Sequence, residues 1–300
     1  MPPDPRYKRL VLILFLGLLL LLAVGGYAAG KKAVPGAPPA EQGATSPPAP
    51  GQPAAAITPR SEKVAQDEQG RAIYQVKGNG IKIGYKLAGA GAPMVLIPGL
   101  GNNMEVWPQP LIEGLSRKYQ LIILDNRGMG YSTADATPFT YRLFADDVIS
   151  LLDALGVQKT EVLGFSMGSS ITQVLLLDYP QRFHKAVIYA TSTDGSKVAA
   201  LAKGKKADNP IIQRQIEATA RWQTPLDKVP LIPNQVLLVV GTKDNVVGPA
   251  PSQTLAALIP GAWLAQFTGG THSLMREAPG DFTKTVLAFL EIKQTVTGAR

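Results

Sequence analysis

Thr160-Glu161-Val162-Leu163-Gly164-Phe165-Ser166-Met167-Gly168 is the stretch whose reading decides the fold. Residues 160–163 read as a short strand buried on both faces. Residues 167–179 read as a helix, stopped by Pro180. Between them stands G-x-S-x-G. A strand that turns sharply into a helix forces its corner residue into a strained backbone conformation. The flanking glycines relieve the crowding, and the serine oxygen is left exposed at the C-terminal edge of the sheet. The helix start also aims partial positive charge at that corner. A bare G-x-S-x-G arises often by chance, and Ser166 could be an ordinary helix cap. Strand, corner and helix together favour a nucleophile.

Working outward, continuous apolar runs at 94–97 and 121–124 read as strands buried on both faces, and 185–189, 236–240 and 263–267 read as further strands. Two alternating runs, 72–77 and 81–87, flank Gly78-Asn79-Gly80 and predict a hairpin. Helical spacing falls at 104–118, 144–155, 252–258 and 282–293. Strands alternating with helices predict an α/β fold: a mostly parallel eight-stranded sheet, helices on both faces and an antiparallel edge from the hairpin.

A serine alcohol needs a base to attack at neutral pH, and the chain has only two histidines. His184 precedes a strand and so belongs at the edge opposite the corner. His272, in Gly269-Gly270-Thr271-His272-Ser273, follows the last strand and belongs at the same edge as Ser166. The base in turn needs an acid to hold its tautomer. Asp244 directly follows the strand 236–240; Asp194, after the strand 185–189, is its rival. Each aspartate could instead serve a turn or a helix cap.

These positions resemble the α/β-hydrolase fold family, of the serine esterase and lipase kind. The order Ser166, Asp244, His272 is that family's order. Asp125-Asn126-Arg127-Gly128-Met129-Gly130-Tyr131-Ser132 resembles its D-x-R-G-x-G-x-S segment, in which Asp125 and Arg127 are expected to brace the loop. Pro98-Gly99-Leu100-Gly101 stands where the family usually has His-Gly, so Pro98 is a departure. The resemblance implies an oxyanion hole from the backbone N–H groups of Leu100 and Met167, which a proline at 98 leaves untouched. It implies a cap after the sixth strand, at about 192–234, short enough to predict a fairly open site. Lys197, Lys203, Lys205 and Lys206 in it read as a solvated loop. The spacing of Ile211, Ile212, Ile216 and Trp222 predicts a helix packed on the domain. It could also line an acyl pocket with Leu100, Trp107 and Phe165.

The resemblance implies cleavage of a small carboxylic ester or lipid-like substrate, with no cofactor and no metal. Perhydrolase, C–C or amide hydrolysis use the same fold. Halide displacement and epoxide opening use an aspartate at the elbow, which Ser166 argues against. A ligand-binding protein with a vestigial triad is the rival of another class.

Bulk composition narrows the rest. With no cysteine and two histidines in 300 residues, there is no disulfide frame, no thiolate nucleophile and no structural zinc site to expect. The formal charge is +8, and half of it lies in residues 1–60, which leaves no nucleic-acid footprint on the remainder. Arg6, Lys8 and Arg9 precede an apolar run at about 10–29, the pattern of a signal-anchor; a cleaved signal is the alternative. Residues 31–60 are rich in Pro and Ala and read as a linker. The expectation is an anchor over 1–30, a linker over 31–60, and a hydrolase domain over 61–300 held outside the cytoplasm, or secreted if the anchor is cut.

Overall fold

The computed structural model describes residues 57–58, 61–203 and 209–292. All of them fall in the second of two units in the chain, Pro48–Arg300. The expected anchor, the linker apart from 57–58, and Lys205 and Lys206 lie outside the described residues. Among the described residues no helix is long and apolar enough to cross a membrane.

The strands are β1 (Glu62–Gln66), β2 (Ala72–Gly78), β3 (Ile81–Ala88), β4 (Ala92–Ile97), β5 (Tyr119–Leu124), β6 (Thr160–Phe165), β7 (Phe183–Tyr189), β8 (Gln235–Gly241) and β9 (Trp263–Phe267). They form one sheet in the order β1-β2-β3-β5-β4-β6-β7-β8-β9. β1, β2, β3 and β5 pair antiparallel; β5 through β9 along that order pair parallel. The sheet thus has nine strands rather than eight. The extra one is β1, an edge strand of sequence EKVAQ in which every residue but Ala65 is exposed. With one face unburied it carries no apolar alternation, so nothing in its sequence marks it.

The helices are α1 (Gln109–Ser116), α2 (Tyr141–Ala154), α3 (Met167–Asp178), α4 (Gly195–Lys203), α5 (Pro210–Ala220), α6 (Ala250–Leu258), α7 (Leu274–Glu277) and α8 (Pro279–Glu291). The run in β4 explains why the central strands show no alternation. Val95 and Ile97 enter the core under α2 and α3, with Phe144, Val148, Ile171 and Leu175. Met94 and Leu96 enter the opposite core under α1 and α8, with Leu111, Leu115, Phe282 and Val286. Both faces of β4 are therefore apolar.

Several helices differ from their predicted bounds, and for two of them the local reason is visible. The stretch 104–118 breaks into a 3-10 turn, Met104–Val106, and α1, because Pro108 caps α1 and a second proline stands in its first turn. Helix α2 begins three residues before 144, where the Thr140 side chain accepts from the Leu143 N–H. The segment 192–234 supplies α4 and α5, joined to the main body by a buried polar cluster. There Gln173 of α3 donates to Thr191 at 2.7 Å and accepts from Thr224 at 2.8 Å.

Candidate active site

The corner between β6 and α3 is as tight as its glycines suggest. Ser166 has φ 53° and ψ −116°, a conformation that side chains other than glycine rarely adopt. A Cβ on Gly164 would lie 2.3 Å from the Gly168 carbonyl oxygen, and one on Gly168 would lie 2.1 Å from that of Ile97. Both positions exclude any side chain, and α3 is able to start directly at the end of the sheet. The Ser166 N–H is tied to the Tyr189 carbonyl at 3.0 Å, and its own carbonyl accepts from Ser169 and Ser170. The hydroxyl is left for chemistry.

His272 follows β9 and Asp244 follows β8, so parallel strands carry both to the edge where Ser166 stands. His272 Nε2 lies 3.1 Å from Ser166 Oγ, and His272 Nδ1 lies 2.8 Å from Asp244 Oδ2. Neutral His272 with its proton on Nδ1 donates to Asp244 and accepts from the serine. The Asp244 side chain is fully buried; its other oxygen accepts from the Val246 and Val247 N–H groups at 2.9 and 3.1 Å. Burial pushes the Asp244 carboxyl up. The hydrogen bond and charge of His272, with the two backbone donors, outweigh that and hold it below its ordinary value. It therefore stays ionised behind the imidazole.

The rivals lie elsewhere. Asp194 is half-buried, accepts from the Ser196 N–H at 2.9 Å and the Gln223 amide at 2.7 Å, and starts α4 as a cap would. His184 stands at the beginning of β7, at the opposite edge of the sheet.

Leu100, on the loop after β4, and Met167, the first residue of α3, border one cavity together with Ser166. Neither backbone N–H has a partner in the turns, loops and caps of the described residues. The Asn126 side chain braces the Leu100 loop by donating to the Pro98 carbonyl at 3.0 Å, and Gln215 of α5 accepts from the Gly101 N–H at 2.7 Å. Asp125 and Arg127 act as braces. Asp125 accepts from the Met104 and Tyr131 N–H groups at 2.6 and 2.7 Å, and burial pushes its carboxyl up to about 6. Arg127 grips Asp147 through two nitrogens, at 2.6 and 2.9 Å.

The cavity is narrow rather than wide. Gly195 and Val198 of α4 and Thr219 of α5 line it, and its free volume is about 10 Å³, the room of a single water. A short cap narrows a site when both of its helices reach the elbow. The expected pocket residues do not line this cavity, except Leu100. Trp107 packs edge-on against Phe165 at 6.4 Å beneath the elbow, and Phe165 stacks on Tyr189 at 5.0 Å and lies 5.1 Å from the His272 ring. Ile212 packs with Ile216 and Ala199 inside the cap. Trp222 stacks on Tyr141 at 4.9 Å. The residues missed are Tyr141, Ser170, Ser192, Gly195, Val198, Thr219 and Val247. Ser170 lies one helical turn past Ser166 on α3, Ser192 just past β7 and Val247 three residues past Asp244, so these three carry a signal; the others come from elements whose contact depends on how the cap docks.

Known proteins resemble this chain in sequence and fold. A family profile described as the alpha/beta hydrolase fold matches residues 92–208. A protein of Azorhizobium caulinodans, provisionally named a carbamate hydrolase, is 28% identical over 248 residues, covering 68% of this chain and 93% of its own. A 3-oxoadipate enol-lactonase of Acinetobacter baylyi is 31% identical over 137 residues, covering 44% of this chain and 50% of its own. The crystal structure of an enol-lactonase from Burkholderia xenovorans superposes with a TM-score of 0.65 at 24% identity, over 73% of this chain and all of the other. The sheet, the strained elbow and these likenesses agree: the chain has the alpha/beta hydrolase fold and is similar to the hydrolases that share it.

Proposed function

We propose that the protein is a serine hydrolase that cleaves carboxylic esters through an acyl-enzyme. The observation that carries this reading is the unbroken chain Ser166 Oγ, His272 Nε2, His272 Nδ1, Asp244 Oδ2 at 3.1 and 2.8 Å. His272 takes the hydroxyl proton as Ser166 Oγ bonds to the carbonyl carbon. The Leu100 and Met167 N–H groups face the oxyanion, each contributing about 2.7–4 kcal/mol in the transition state. The C–O bond to the leaving alcohol breaks, and that alcohol receives the proton from His272. Water then gives a proton to His272, attacks the acyl-enzyme and releases the acid, and Ser166 recovers its proton. Relatives named as lactonases support an ester substrate, since a lactone is an internal ester. The sequence further supports a domain tethered outside the cytoplasm by residues 1–30; retention of the full chain in carbonate-washed membranes tests this.

A fluorophosphonate probe and a panel of p-nitrophenyl esters test the activity. We expect stoichiometric labelling at Ser166, and a drop in kcat on the order of 10⁶-fold in Ser166→Ala. An unreactive serine in folded protein would instead favour a ligand-binding role.

A further inference from the structure

The cavity at Ser166 and a surface groove beside it share a wall. Tyr141 borders both. Helix α3 floors both: Ser166, Met167 and Ser170 under the cavity, Val174 and Leu177 under the groove. Ser170 and Val174 are one helical turn apart, about 6 Å of rise. Helix α5 roofs both, through Thr219 over the cavity and Ala218 over the groove, with Trp222 just past its end. The two spaces therefore follow one another along α3, with Tyr141 bordering both.

Tyr141 is held firmly. The Tyr141 ring stacks on Trp222 with centroids 4.9 Å apart and planes 28° apart. The Tyr141 hydroxyl donates to Thr219 Oγ1 at 3.1 Å, and Thr219 donates on to the Gln215 carbonyl at 2.8 Å. The wall is thus fixed to α5 at one side and leans on an indole at the other. The spaces it divides are unequal: about 10 Å³ at the serine against about 450 Å³ in the groove. Apart from its charged rim the groove is apolar, with Val174, Leu177, Ala218 and Pro225 along it. An unbranched hydrocarbon chain is what such a surface takes up.

We infer that the Tyr141–Trp222 pair sets the length of the acyl group this site accepts. This rests on the serine-hydrolase reading and names its substrate class: esters of short acids such as acetate and propionate. The pair closes the direction in which a longer chain would run. With Trp222 cut back, Tyr141 loses its stacking partner, the cavity joins the groove, and a chain of octanoyl length has an apolar channel along α3.

The test compares kcat/KM for p-nitrophenyl acetate and octanoate in the full chain, in Trp222→Ala and in Trp222→Ala/Leu177→Trp. Each variant is read as the ratio of the two esters, so loss of folded protein cancels. The wild type should favour acetate by about tenfold or more. Trp222→Ala should move the ratio toward octanoate by a similar factor, and the added indole at 177 should fill the groove and reverse the gain. A wild type that prefers octanoate, an unchanged ratio in Trp222→Ala, or a gain that survives Leu177→Trp overturns the inference alone. No turnover of either ester with no probe label at Ser166 overturns the serine-hydrolase reading, and the inference with it.

Discussion

The Tyr189 hydroxyl, on the strand beside the elbow, donates to the carbonyl oxygen of His272 at 2.7 Å. It also accepts from the Met275 N–H at 3.3 Å, so one buried phenol holds both the end of the His272 loop and the start of α7. Burial pushes the Tyr189 hydroxyl well above its ordinary pKa, so it stays protonated and able to donate. Its ring stacks on Phe165, which adjoins Ser166. One side chain thereby registers the loop that carries the base against the turn that carries the nucleophile.

Removing only that hydroxyl should cost activity before it costs the fold. In Tyr189→Phe we expect kcat to fall about 10- to 100-fold, as for a misplacement of the base on the order of 1 Å. The loss of stability should be about 1–3 kcal/mol, from the unpaired His272 carbonyl. Steady-state kinetics and a thermal melt on the same preparation check both; an unchanged kcat would show that the loop holds itself.

Asp244→Asn should lower kcat by about 10⁴-fold, since an amide no longer stabilises the imidazolium and can reverse the His272 tautomer. Asp194→Asn should change kcat little, because the Asp194 carboxylate is engaged with Ser196 and Gln223 rather than with His272. A larger loss at Asp194 than at Asp244 would reverse the assignment of the acid.

Gln215 is fully buried, and its Oε1 is the acceptor for the Gly101 N–H beside Leu100. Among the described residues its Nε2 has no partner. Gln215→Glu keeps an acceptor on that N–H, whereas Gln215→Leu does not. We expect Gln215→Leu to lower kcat about tenfold with KM little changed, and Gln215→Glu to retain more of kcat, in ester kinetics. Equal kcat in the two variants would exclude a positioning role.

Glu161 gives a pH signature. Burial pushes its carboxyl up to about 7, against the weaker pull of the Lys185 N–H and the Lys185 and Lys159 charges. The folded protein therefore holds this proton more tightly than the unfolded chain. Its contribution to stability is full below about 4.5 and is lost as pH rises through about 7. Asp67 acts in the opposite sense. Burial pushes it up, but hydrogen bonds from Arg71 and Lys86 bring it down to about 2, so its contribution is full above 3.8 and is lost as pH falls through about 2. Melting temperatures from pH 4 to 8 should show Glu161→Gln gaining on the wild type as pH rises; parallel curves would contradict this.

Much of this molecule is legible in local sequence because the signals concerned are short-range. The buried runs of β4 to β8, the glycines at 164 and 168, and Asp244 and His272 just past strand ends all follow from strand period and turn sterics. The parallel sheet then does the rest, because strands that share a direction deliver their trailing loops to one edge. β1 escaped because an exposed edge strand needs no apolar pattern, and the start of α2 because its cap, Thr140, stands before the periodic residues.

What the chain's own order of residues determined is the α/β architecture, the strained elbow and the identity of the three side chains that meet there. What only the tertiary structure decided is how closed the site is and which residues wall it. Tyr141 lies on α2 while Thr219 and Trp222 lie on α5 and just past its end, and their contact arises from how α5 docks on α2 and α3. That docking balances many small packing terms across distant segments, and no local period records it.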